Sequence, residues 1–468
     1  MKIKFGTDGW RAIVAQEFTV DNVARVTAGL AQYLQQQKEK NTVLIGYDCR
    51  FGGPLFAETV AKVLALEGIS VKLAEGFVTT PMISFGTLAN NCDMGVIITA
   101  SHNPPEYNGY KLKGHYGGPL LPAEVKAVEN LIPDTHAYPL KETSLDALKA
   151  DGLLSNIDLE SAYLEKVREN FDLEKIQRSG LKLAYDAMFG SGQRVVPMLL
   201  PEVVTFRCDH NPGFEGISPE PIMRNLGAFS TFLKERNDID SALVTDGDAD
   251  RIGLMDGAGN FIDSHHIMLL LIHYLHHYKG WTGKVVTGFS STVKIAQLCA
   301  EYGLELEVVP IGFKHVCERM IREDVLMGGE ESGGIAVKGF IPERDGIWNG
   351  LVIWEAIATT GKSVGELIEE VYALVGSFAF ERIDLRISEE EKQRIIANCQ
   401  SGAYTEFGGR KVERADDMDG FKYYFNDSEW TMIRPSGTEP VLRTYAESAN
   451  QEKALEILRL THETILNK

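Results

Sequence analysis

Long apolar runs are missing from this chain. The longest, IMLLLI at residues 267–272, is far shorter than the roughly 20 residues that a helix needs to cross a bilayer. The first residues, MKIKFGTDGWRA, also lack the apolar core of a signal peptide. We therefore expect no membrane association and a cytoplasmic location.

Closely paired cysteines are missing as well. Six cysteines are scattered through 468 residues, and no two of them stand in a CxxC pair. This spacing argues against a zinc ribbon and against a dithiol redox motif. It is typical of a protein whose cysteines stay reduced in the cytoplasm.

Basic residues are in deficit. Lys and Arg number 47 against 66 Asp and Glu, which gives a net charge of −19. Because nucleic-acid binding generally needs a basic face, this balance argues against a nucleic-acid partner. It does not exclude a small anionic substrate, since a local cluster of Arg and Lys can override the global charge.

A strand–helix–strand pattern is what the chain repeats. An apolar strand at 43–47, an amphipathic helix at 55–67 and a strand at 70–75 read as one βαβ unit. The pattern recurs at 181–200 and at 284–312, although the residue identities do not repeat. Three segments with this pattern predict three similar α/β domains in a row.

The end of the chain follows a different pattern, which begins at about residue 376. Strands, an acidic helix and a C-terminal amphipathic helix predict a smaller α+β domain with antiparallel strands. A polar segment at 133–160 reads as the link between the first two domains. The domain boundaries that we expect are 1–145, 155–256, 257–372 and 377–468.

Three aspartates follow an apolar strand in VTDGDADRIGLMD, residues 244–256. Asp246, Asp248 and Asp250 alternate with small residues, and such converging carboxylates suit a hard cation such as Mg²⁺. A solvated acidic turn is the alternative, but the third aspartate and the adjacent Arg251 favour a metal site. The spacing excludes an EF-hand.

A serine loop follows another apolar strand in TASHNPPEYNGYK, residues 99–111. Ser101 would ordinarily cap a helix or form a turn. Here two prolines stiffen the loop, and His102 and Lys111 supply anion donors. A serine so placed could carry a covalent phosphoryl group. It is not an esterase elbow, because GxSxG is absent.

Two further loops carry chemistry. GGEESGGIAV, at 328–337, holds carboxylates in a Gly-rich loop that suits either vicinal sugar hydroxyls or a plain hairpin turn. IRPSGTEPVLRTYAE, at 433–447, offers two arginines, two hydroxyls and free backbone N–H groups. These donors suit the binding of a phosphate group, although a plain Pro-Gly loop without a ligand is the alternative.

Some segments resemble functional motifs but lack a residue that the motif requires. TGKS at 360–363 ends like a Walker A loop, but Ala356 stands where that motif needs Gly. The His-rich segment DSHHIMLLLIHYLHHYKG has no acid or cysteine to complete a metal site, and we interpret it as an amphipathic helix with surface histidines. Lys314 reads either as a substrate contact or as a solvated lysine.

Taken in the order in which they occur along the chain, the four loops resemble those of the α-D-phosphohexomutase family. TASHNPPEYNGYK is similar to its phosphoserine loop, DGDADR to its metal loop, GEESGG to its sugar-recognition loop and RPSGTEP to its phosphate loop. FGTDGWRA, at 5–12, resembles its N-terminal signature. The family fold implies three similar mixed α/β domains and a smaller fourth domain around a central cleft.

The resemblance also implies roles for individual residues. Ser101 carries the phosphoryl group and contributes a ligand to Mg²⁺ together with the three aspartates. The remaining implied roles are reaction-site residues Arg11, His102, Lys111 and Arg251, sugar contacts Glu330, Ser332 and Lys314, and phosphate contacts Arg434, Ser436, Gly437, Thr438 and Arg443. Lys111 and His102 are both candidates for the general base.

The implied activity is an intramolecular phosphotransferase that interconverts hexose 1-phosphate and hexose 6-phosphate. Glucose, mannose or both are the expected sugars, with Mg²⁺ as cofactor and hexose 1,6-bisphosphate as activator and intermediate. The alternatives are a phosphoglucosamine mutase, although its GEQSGH motif is absent, and a non-catalytic sugar-phosphate-binding protein. We expect a monomer or a homodimer with hexose phosphates as its ligands.

Overall fold

Four structural units, each with one main β-sheet and its helices, follow one another along the chain, and we call them domains I to IV. The computed structural model describes residues 2–6, 8–436 and 441–467. Within this part of the chain, no helix is long and apolar enough to cross a membrane.

Domain I is built on a seven-stranded mixed sheet. Its strands are β1 (Trp10–Ile13), β2 (Thr42–Tyr47), β3 (Ser70–Ala74), β4 (Met94–Ile98), β5 (Tyr107–Gly114), β6 (Gly118–Pro119) and β7 (Leu154–Ile157). Its helices are α1 (Val20–Gln37), α2 (Gly53–Leu66), α3 (Thr80–Ala89), α4 (Pro122–Asn130) and α5 (Leu145–Ala150).

Domain II has a five-stranded sheet. Its helices α6 (Leu159–Asn170) and α7 (Leu173–Arg178) precede the strands β8 (Leu183–Asp186), β9 (Val204–Phe206), β10 (Ser241–Thr245), β11 (Ile252–Asp256) and β12 (Phe261–Ile262). Helices α8 (Val195–Leu199) and α9 (Gly227–Arg236) connect the first three strands.

Domain III has a four-stranded sheet. Its strands are β13 (Lys284–Gly288), β14 (Leu306–Val309), β15 (Val325–Gly329) and β16 (Ile335–Val337). Its helices are α10 (Ser264–His273), α11 (Lys294–Tyr302), α12 (Phe313–Arg322), α13 (Gly346–Thr360) and α14 (Val364–Val375).

Domain IV is smaller, and its main sheet is antiparallel throughout. Its strands are β17 (Ala379–Arg386), β18 (Glu406–Phe407), β19 (Arg410–Lys411), β20 (Arg414–Asp416), β21 (Phe421–Tyr424), β22 (Trp430–Pro435) and β23 (Val441–Ser448). Helices α15 (Glu389–Gln400) and α16 (Gln451–Asn467) complete it. The α+β fourth domain expected from the sequence is confirmed.

Domains I, II and III repeat one strand order. Their sheets contain the series β3-β2-β4-β5, β9-β8-β10-β11 and β14-β13-β15-β16. In each series three strands run parallel and the last is antiparallel. The three similar mixed α/β domains are therefore confirmed, and each contains a hairpin loop between its third and fourth strands.

Two short strands lie beyond the expected domain boundaries. Strand β7 belongs to the segment 133–160 that we interpreted as a linker, yet it pairs in parallel with β3 of domain I. Strand β12 follows residue 256 but pairs with β11 of domain II. Both occupy sheet edges, where pairing satisfies backbone groups that would otherwise be free, and neither is long enough for a clear apolar alternation.

The histidines of α10 correct one expectation. His265 and His273 are buried rather than on the surface. Helix α10 packs against α14, and the Nε2 atom of His273 lies 3.0 Å from the Glu370 Oε2 atom on that helix. A polar partner on a neighbouring helix lowers the cost of burying an imidazole.

The hydrophobic cores show which domains are packed together. One continuous core joins residues of domains I, II and III, and includes the fully buried Tyr163, Leu243 and Trp354. Domain IV has its own core and meets domain III through a small cluster that contains Phe289 and Trp430. The first three domains therefore form the larger packed body.

Candidate active site

The hairpin loops of domains I, II and III meet at the centre of the molecule. They span residues 99–106, 246–251 and 330–334. Each leaves the carboxyl end of a parallel strand, which is where α/β proteins usually bind ligands. Three of the loops singled out in the sequence thus occupy equivalent positions in three repeated domains.

Ser101 faces the acidic loop of domain II. Its Oγ atom donates a hydrogen bond to the Asp246 Oδ2 atom at 2.7 Å, across 145 residues of sequence. The Nδ1 atom of His102 lies 3.3 Å from the same Oγ. The Ser101 backbone is left-handed, with φ of 53°, and the residue is only 1% exposed. The fold therefore holds this hydroxyl in one place.

His102 is surrounded by cations. Burial lowers its pKa well below the ordinary value, and the neighbouring guanidinium groups of Arg251 and Arg11 lower it further. The imidazole is therefore neutral at neutral pH and can accept a proton.

The three aspartates of domain II form a buried cluster that fits a divalent cation. One oxygen from each of Asp246, Asp248 and Asp250 lies within 4.8 Å of the others. The Oδ1 atoms of Asp248 and Asp250 are buried and have no hydrogen-bond partner among the described residues. Unpartnered buried carboxylate oxygens are costly unless a cation is bound, and Mg²⁺ prefers such oxygens.

The carboxylates also differ in their proton affinity. Burial raises the pKa of Asp246 well above the ordinary value, and the charges of Asp248 and Asp250 raise it further. For Asp248, burial is outweighed by the ammonium of Lys111, so that its pKa is lowered. Opposite shifts of neighbouring carboxyls are typical of functional sites.

Lys111 lies behind the acidic loop rather than in the open cavity. Its Nζ atom is 2.8 Å from Asp248, 3.0 Å from Asp250 and 3.0 Å from Asp8. Burial alone would lower its pKa, but these carboxylates outweigh burial and raise it above the ordinary value. Lys111 is therefore a charged ammonium in this arrangement.

Arg11 and Arg251 lie beside the serine loop and the acidic loop. The Nη1 atom of Arg11 donates to the Asn103 side chain at 2.6 Å. The backbone N–H of Arg251 donates to Asp246 at 3.0 Å, and its Nη1 atom is 3.5 Å from Glu220. Both guanidinium groups are thus anchored at the edge of the serine and aspartate loops.

A cavity of about 570 Å³ opens beside these loops and is lined by residues of all four domains. Its described lining contains eight basic side chains and four acidic ones. The basic residues are Lys4, Arg11, Arg251, Lys314, Arg344, Arg382, Arg434 and Arg443, and the acidic ones are Asp8, Glu220, Glu330 and Glu331. This excess of positive charge suits an anionic ligand despite the negative net charge of the chain.

The loop of domain III contributes Glu330 and Ser332 to the cavity, and Lys314 lies beside them. Glu330 accepts a hydrogen bond from the backbone N–H of Gly312 at 2.5 Å. Burial and the charge of Glu331 raise the pKa of Glu330 to about 7. Its protonation state therefore changes close to neutral pH.

Domain IV places two arginines opposite each other on neighbouring strands. Arg434 of β22 and Arg443 of β23 are register partners, and both line the cavity. The Nε atom of Arg434 lies 3.0 Å from Asp419, which fixes the direction of its guanidinium. Such a pair suits bidentate binding of a phosphate.

The rest of the predicted phosphate loop is less informative. Ser436 is buried, does not line the cavity among the described residues, and donates its backbone N–H to Val441 at 2.9 Å. Gly437 and Thr438 lie outside the described residues. Their expected contacts with phosphate therefore stay predictions.

Several site residues were missed by the sequence analysis. Asp8 stands inside the FGTDGWRA motif and could have been singled out there, but Arg382 and Arg344 carry no local signal. The Nη2 atom of Arg344 lies 2.5 Å from Asp8 and 2.6 Å from Asp250. A Cβ added at Gly334 would come 2.4 Å from the Arg344 side chain, which explains the small residue there.

The comparisons with known proteins agree with this architecture. Four family models described as phosphoglucomutase/phosphomannomutase match the chain. They are the α/β/α domain I at 2–138, domain II at 161–259, domain III at 263–375 and the C-terminal domain at 389–460. The chain belongs to the α-D-phosphohexomutase family, and it is an isomerase that acts as an intramolecular phosphotransferase.

Individual relatives carry two kinds of name. A phosphoglucomutase/phosphomannomutase of Thermococcus kodakarensis is 30% identical over 461 residues, with 97% of each chain covered. A phosphoglucosamine mutase of Caldicellulosiruptor bescii is 28% identical, with 96% of this chain and 95% of that one covered. A crystal structure from Thermus thermophilus, assigned as a phosphomannomutase, is 31% identical with a TM-score of 0.87 and covers 99% of both chains.

Proposed function

We propose that this phosphohexomutase interconverts the 1-phosphate and 6-phosphate of glucose, mannose or both, through phospho-Ser101 and a bound hexose 1,6-bisphosphate. The observation that carries the proposal is the Ser101 hydroxyl at 2.7 Å from Asp246, beside unpartnered aspartate oxygens. A cavity with an excess of arginines begins at this point. A hydroxyl, a cation site and a phosphate clamp are what phosphoryl transfer to and from a serine requires.

The first half-reaction moves the phosphoryl group from Ser101 to the sugar. The Oγ–P bond breaks, a P–O bond to the free sugar hydroxyl forms, and the hydroxyl proton passes to a base. The bisphosphate then turns over in the cavity. Its other phosphoryl group then returns to Ser101: the sugar O–P bond breaks, the Oγ–P bond re-forms, the sugar oxygen takes back a proton, and the isomeric monophosphate leaves.

Each group has a role in this scheme. Mg²⁺ held by Asp246, Asp248 and Asp250 would neutralise charge on the phosphoryl oxygens. Arg11 and Arg251 are assigned to orienting the reacting phosphate. A phosphoryl oxygen on Ser101 would complete the cation's ligands.

The charge states favour different duties for the two candidate proton carriers. Neutral His102 can accept a proton, and its Nδ1 atom lies 3.3 Å from the Ser101 Oγ atom, where the sugar hydroxyl must approach. Charged Lys111 suits an electrostatic stabiliser, because three carboxylates hold its ammonium in place and keep its pKa high. We assign acceptance of the sugar proton to His102 on this ground.

The far end of the cavity would hold the phosphate that is not reacting. Arg434 and Arg443 are assigned to this clamp, with Ser436, Gly437 and Thr438 as its loop. Glu330, Ser332 and Lys314 would bind sugar hydroxyls. Because the substrate must bind in two orientations, the clamp and the hydroxyl contacts should recognise features that both orientations share.

The choice of sugar is the finer part of the proposal. GEESGG is similar to the loops of glucose-type members, whereas several relatives of matching length carry the name phosphoglucosamine mutase. Glucosamine 6-phosphate is therefore the second candidate substrate.

The test is ³¹P NMR of glucose 1-phosphate, mannose 1-phosphate and glucosamine 1-phosphate, each with enzyme, Mg²⁺ and a trace of glucose 1,6-bisphosphate. We expect conversion of the glucose or mannose compound to its 6-phosphate, and loss of conversion after chelation that added Mg²⁺ restores. Faster conversion of the glucosamine compound would support the second candidate. Folded, phosphorylated enzyme that converts none of the three would contradict the proposal.

A further inference from the structure

Arg50 is buried directly beneath the serine loop, although its side chain does not enter the cavity. It follows β2 and is 2% exposed. Its Nη2 atom donates to the carbonyls of Ser101 at 2.5 Å and Asn103 at 2.6 Å. Its Nη1 atom donates to those of Pro104 at 2.8 Å and Tyr107 at 3.1 Å. One guanidinium thus binds three carbonyls of the serine loop and the carbonyl of Tyr107, the first residue of β5.

Asp48 fixes the same loop from its other end. Its Oδ2 atom accepts a hydrogen bond from the Thr99 hydroxyl at 2.5 Å and lies 3.5 Å from the Arg50 Nε atom. Its Oδ1 atom accepts the backbone N–H of Arg50 at 2.9 Å. Thr99 in turn accepts the N–H of Ser101 at 2.8 Å. Asp48 and Arg50 therefore hold Ser101 through both its N–H and its carbonyl.

This support matters because the Ser101 backbone is left-handed, with φ of 53°. Such a conformation is strained for a non-glycine residue, and it persists only where the surroundings enforce it. The metal loop leaves little space for movement, since a Cβ added at Gly247 would come 2.5 Å from the Ser101 carbonyl oxygen. A rotated Ser101 peptide would carry the hydroxyl away from Asp246.

Domain II also contacts Arg50. The guanidinium carbon lies 5.0 Å from the centre of the Phe214 ring, within the range of a cation–π contact. A lysine at this position would keep the charge, but its point-like ammonium could not reproduce the planar fork that serves four carbonyls.

We propose that Arg50 is a positioning residue for phosphoryl transfer, which holds the Ser101 backbone so that the hydroxyl meets the acidic loop. The inference rests on the proposed role of Ser101 as phosphoryl carrier. Arg50 touches neither substrate nor the transferring group. Its loss should therefore slow chemistry at Ser101 more than it weakens the binding of sugar phosphate.

The experiment compares Arg50→Lys with Arg25→Lys. Arg25 is a matched control, because it is a buried arginine of the same domain that donates to a carbonyl, that of Pro133, at 2.7 Å. The readouts are kcat, KM, the thermal midpoint and the rate at which glucose 1,6-bisphosphate phosphorylates Ser101, followed by intact-mass spectrometry.

For Arg50→Lys we expect kcat and the phosphorylation rate to fall about 100-fold, the scale of a displacement near 1 Å. KM should stay within about threefold of wild type, as for a group that acts only on the chemical step. Arg25→Lys should match wild type in both rates. Equal rates for the two variants, or a higher KM with unchanged kcat, would overturn the inference.

A second variant covers the case in which Arg50→Lys fails to fold. Asp48→Asn keeps the side-chain shape but weakens the anchor for Arg50 and Thr99, and we expect a smaller loss of both rates at an unchanged KM. Unchanged rates in this variant would count against the inference. Failure of the proposed function would be distinguishable, because wild type itself would then take up no phosphoryl group at Ser101.

Discussion

Domains I and II build one end of the cleft from side chains that are almost fully withdrawn from water, whereas domain IV builds the other from partly exposed arginines. Ser101 is 1% exposed, and the three aspartates are fully buried. By contrast, the side chain of Arg434 is 21% exposed and has one acidic partner, Asp419.

The difference fits two different tasks. Charged groups in a buried network interact strongly and hold fixed positions, which suits a chemical step with narrow geometric tolerance. Partly exposed arginines bind an anion through a planar fork of donors and are easily rehydrated when it leaves. This assignment predicts that substitutions at the first end lower kcat and that those at the second raise KM.

The largest effect should follow from Ser101→Ala. Removing the group that carries the phosphoryl should lower kcat by at least about 10⁴-fold, since no neighbour replaces it. The thermal midpoint should change little, and intact-mass spectrometry should detect no phosphoryl uptake. The control is Ser70→Ala at the exposed start of β3. Turnover of Ser101→Ala near the wild-type rate would contradict the assignment of the chemical step to the buried end of the cleft.

Lys111→Met should have the second-largest effect on kcat. Without the ammonium, the site loses a preorganised cation, and we expect kcat to fall about 10²- to 10³-fold. Asp8, Asp248 and Asp250 would also be left without their shared partner, so the free energy of unfolding should fall by about 3–5 kcal/mol. Chemical denaturation with and without Mg²⁺ measures this loss.

A bound divalent cation should restore more stability to Lys111→Met than to wild type, because it would neutralise buried carboxylates that have lost the ammonium of Lys111. Equal stabilisation of both proteins would count against a cation site at the three aspartates. Unchanged kcat would remove Lys111 from the reaction.

Arg434→Gln should have a smaller effect, and it should change KM rather than kcat. Loss of one fork of the remote clamp should raise KM about tenfold, which corresponds to about 1.4 kcal/mol of binding. The value of kcat should stay within about threefold of wild type. Arg414→Gln is the control, since Arg414 belongs to domain IV but stacks on Tyr424 outside the cavity. A fall in kcat at constant KM would contradict the division of tasks.

The smallest effect should be a pH dependence at Glu330. Its pKa of about 7 means that lowering the pH from 8 to 6 protonates the carboxyl and removes an acceptor for sugar hydroxyls. The substrate phosphate also titrates in this range, so the readout is the ratio of the two KM values, and we expect the KM of wild type relative to that of Glu330→Gln to rise a few-fold as the pH is lowered. Identical KM profiles of the two proteins would exclude Glu330 from sugar binding.

The same shift has an effect on stability. The folded state holds the Glu330 proton up to about pH 7, whereas the unfolded chain releases it near the ordinary value of 4.5. The contribution of Glu330 to stability therefore falls as pH rises between these values. Glu330→Gln should remove this part of the pH dependence in chemical denaturation.

The sequence alone determined the repeated α/β pattern, the antiparallel last domain and the positions of the four loops along the chain. These features depend on local signals: apolar strands, helical periodicity and the turn residues between them. Ser101 and the aspartates were recognisable because each stands in a short loop directly after a buried strand.

Tertiary structure decided which charges meet. Arg344 contacts Asp8 across 336 residues, and Arg50 reaches the serine loop from the end of a neighbouring strand. No local pattern distinguishes these arginines from solvated ones, because their role depends on the strand order of the sheets and on the packing of domains. The charge state of Lys111 and the pairing of β7 were likewise decided by distant neighbours, since burial and electrostatics are properties of the folded chain.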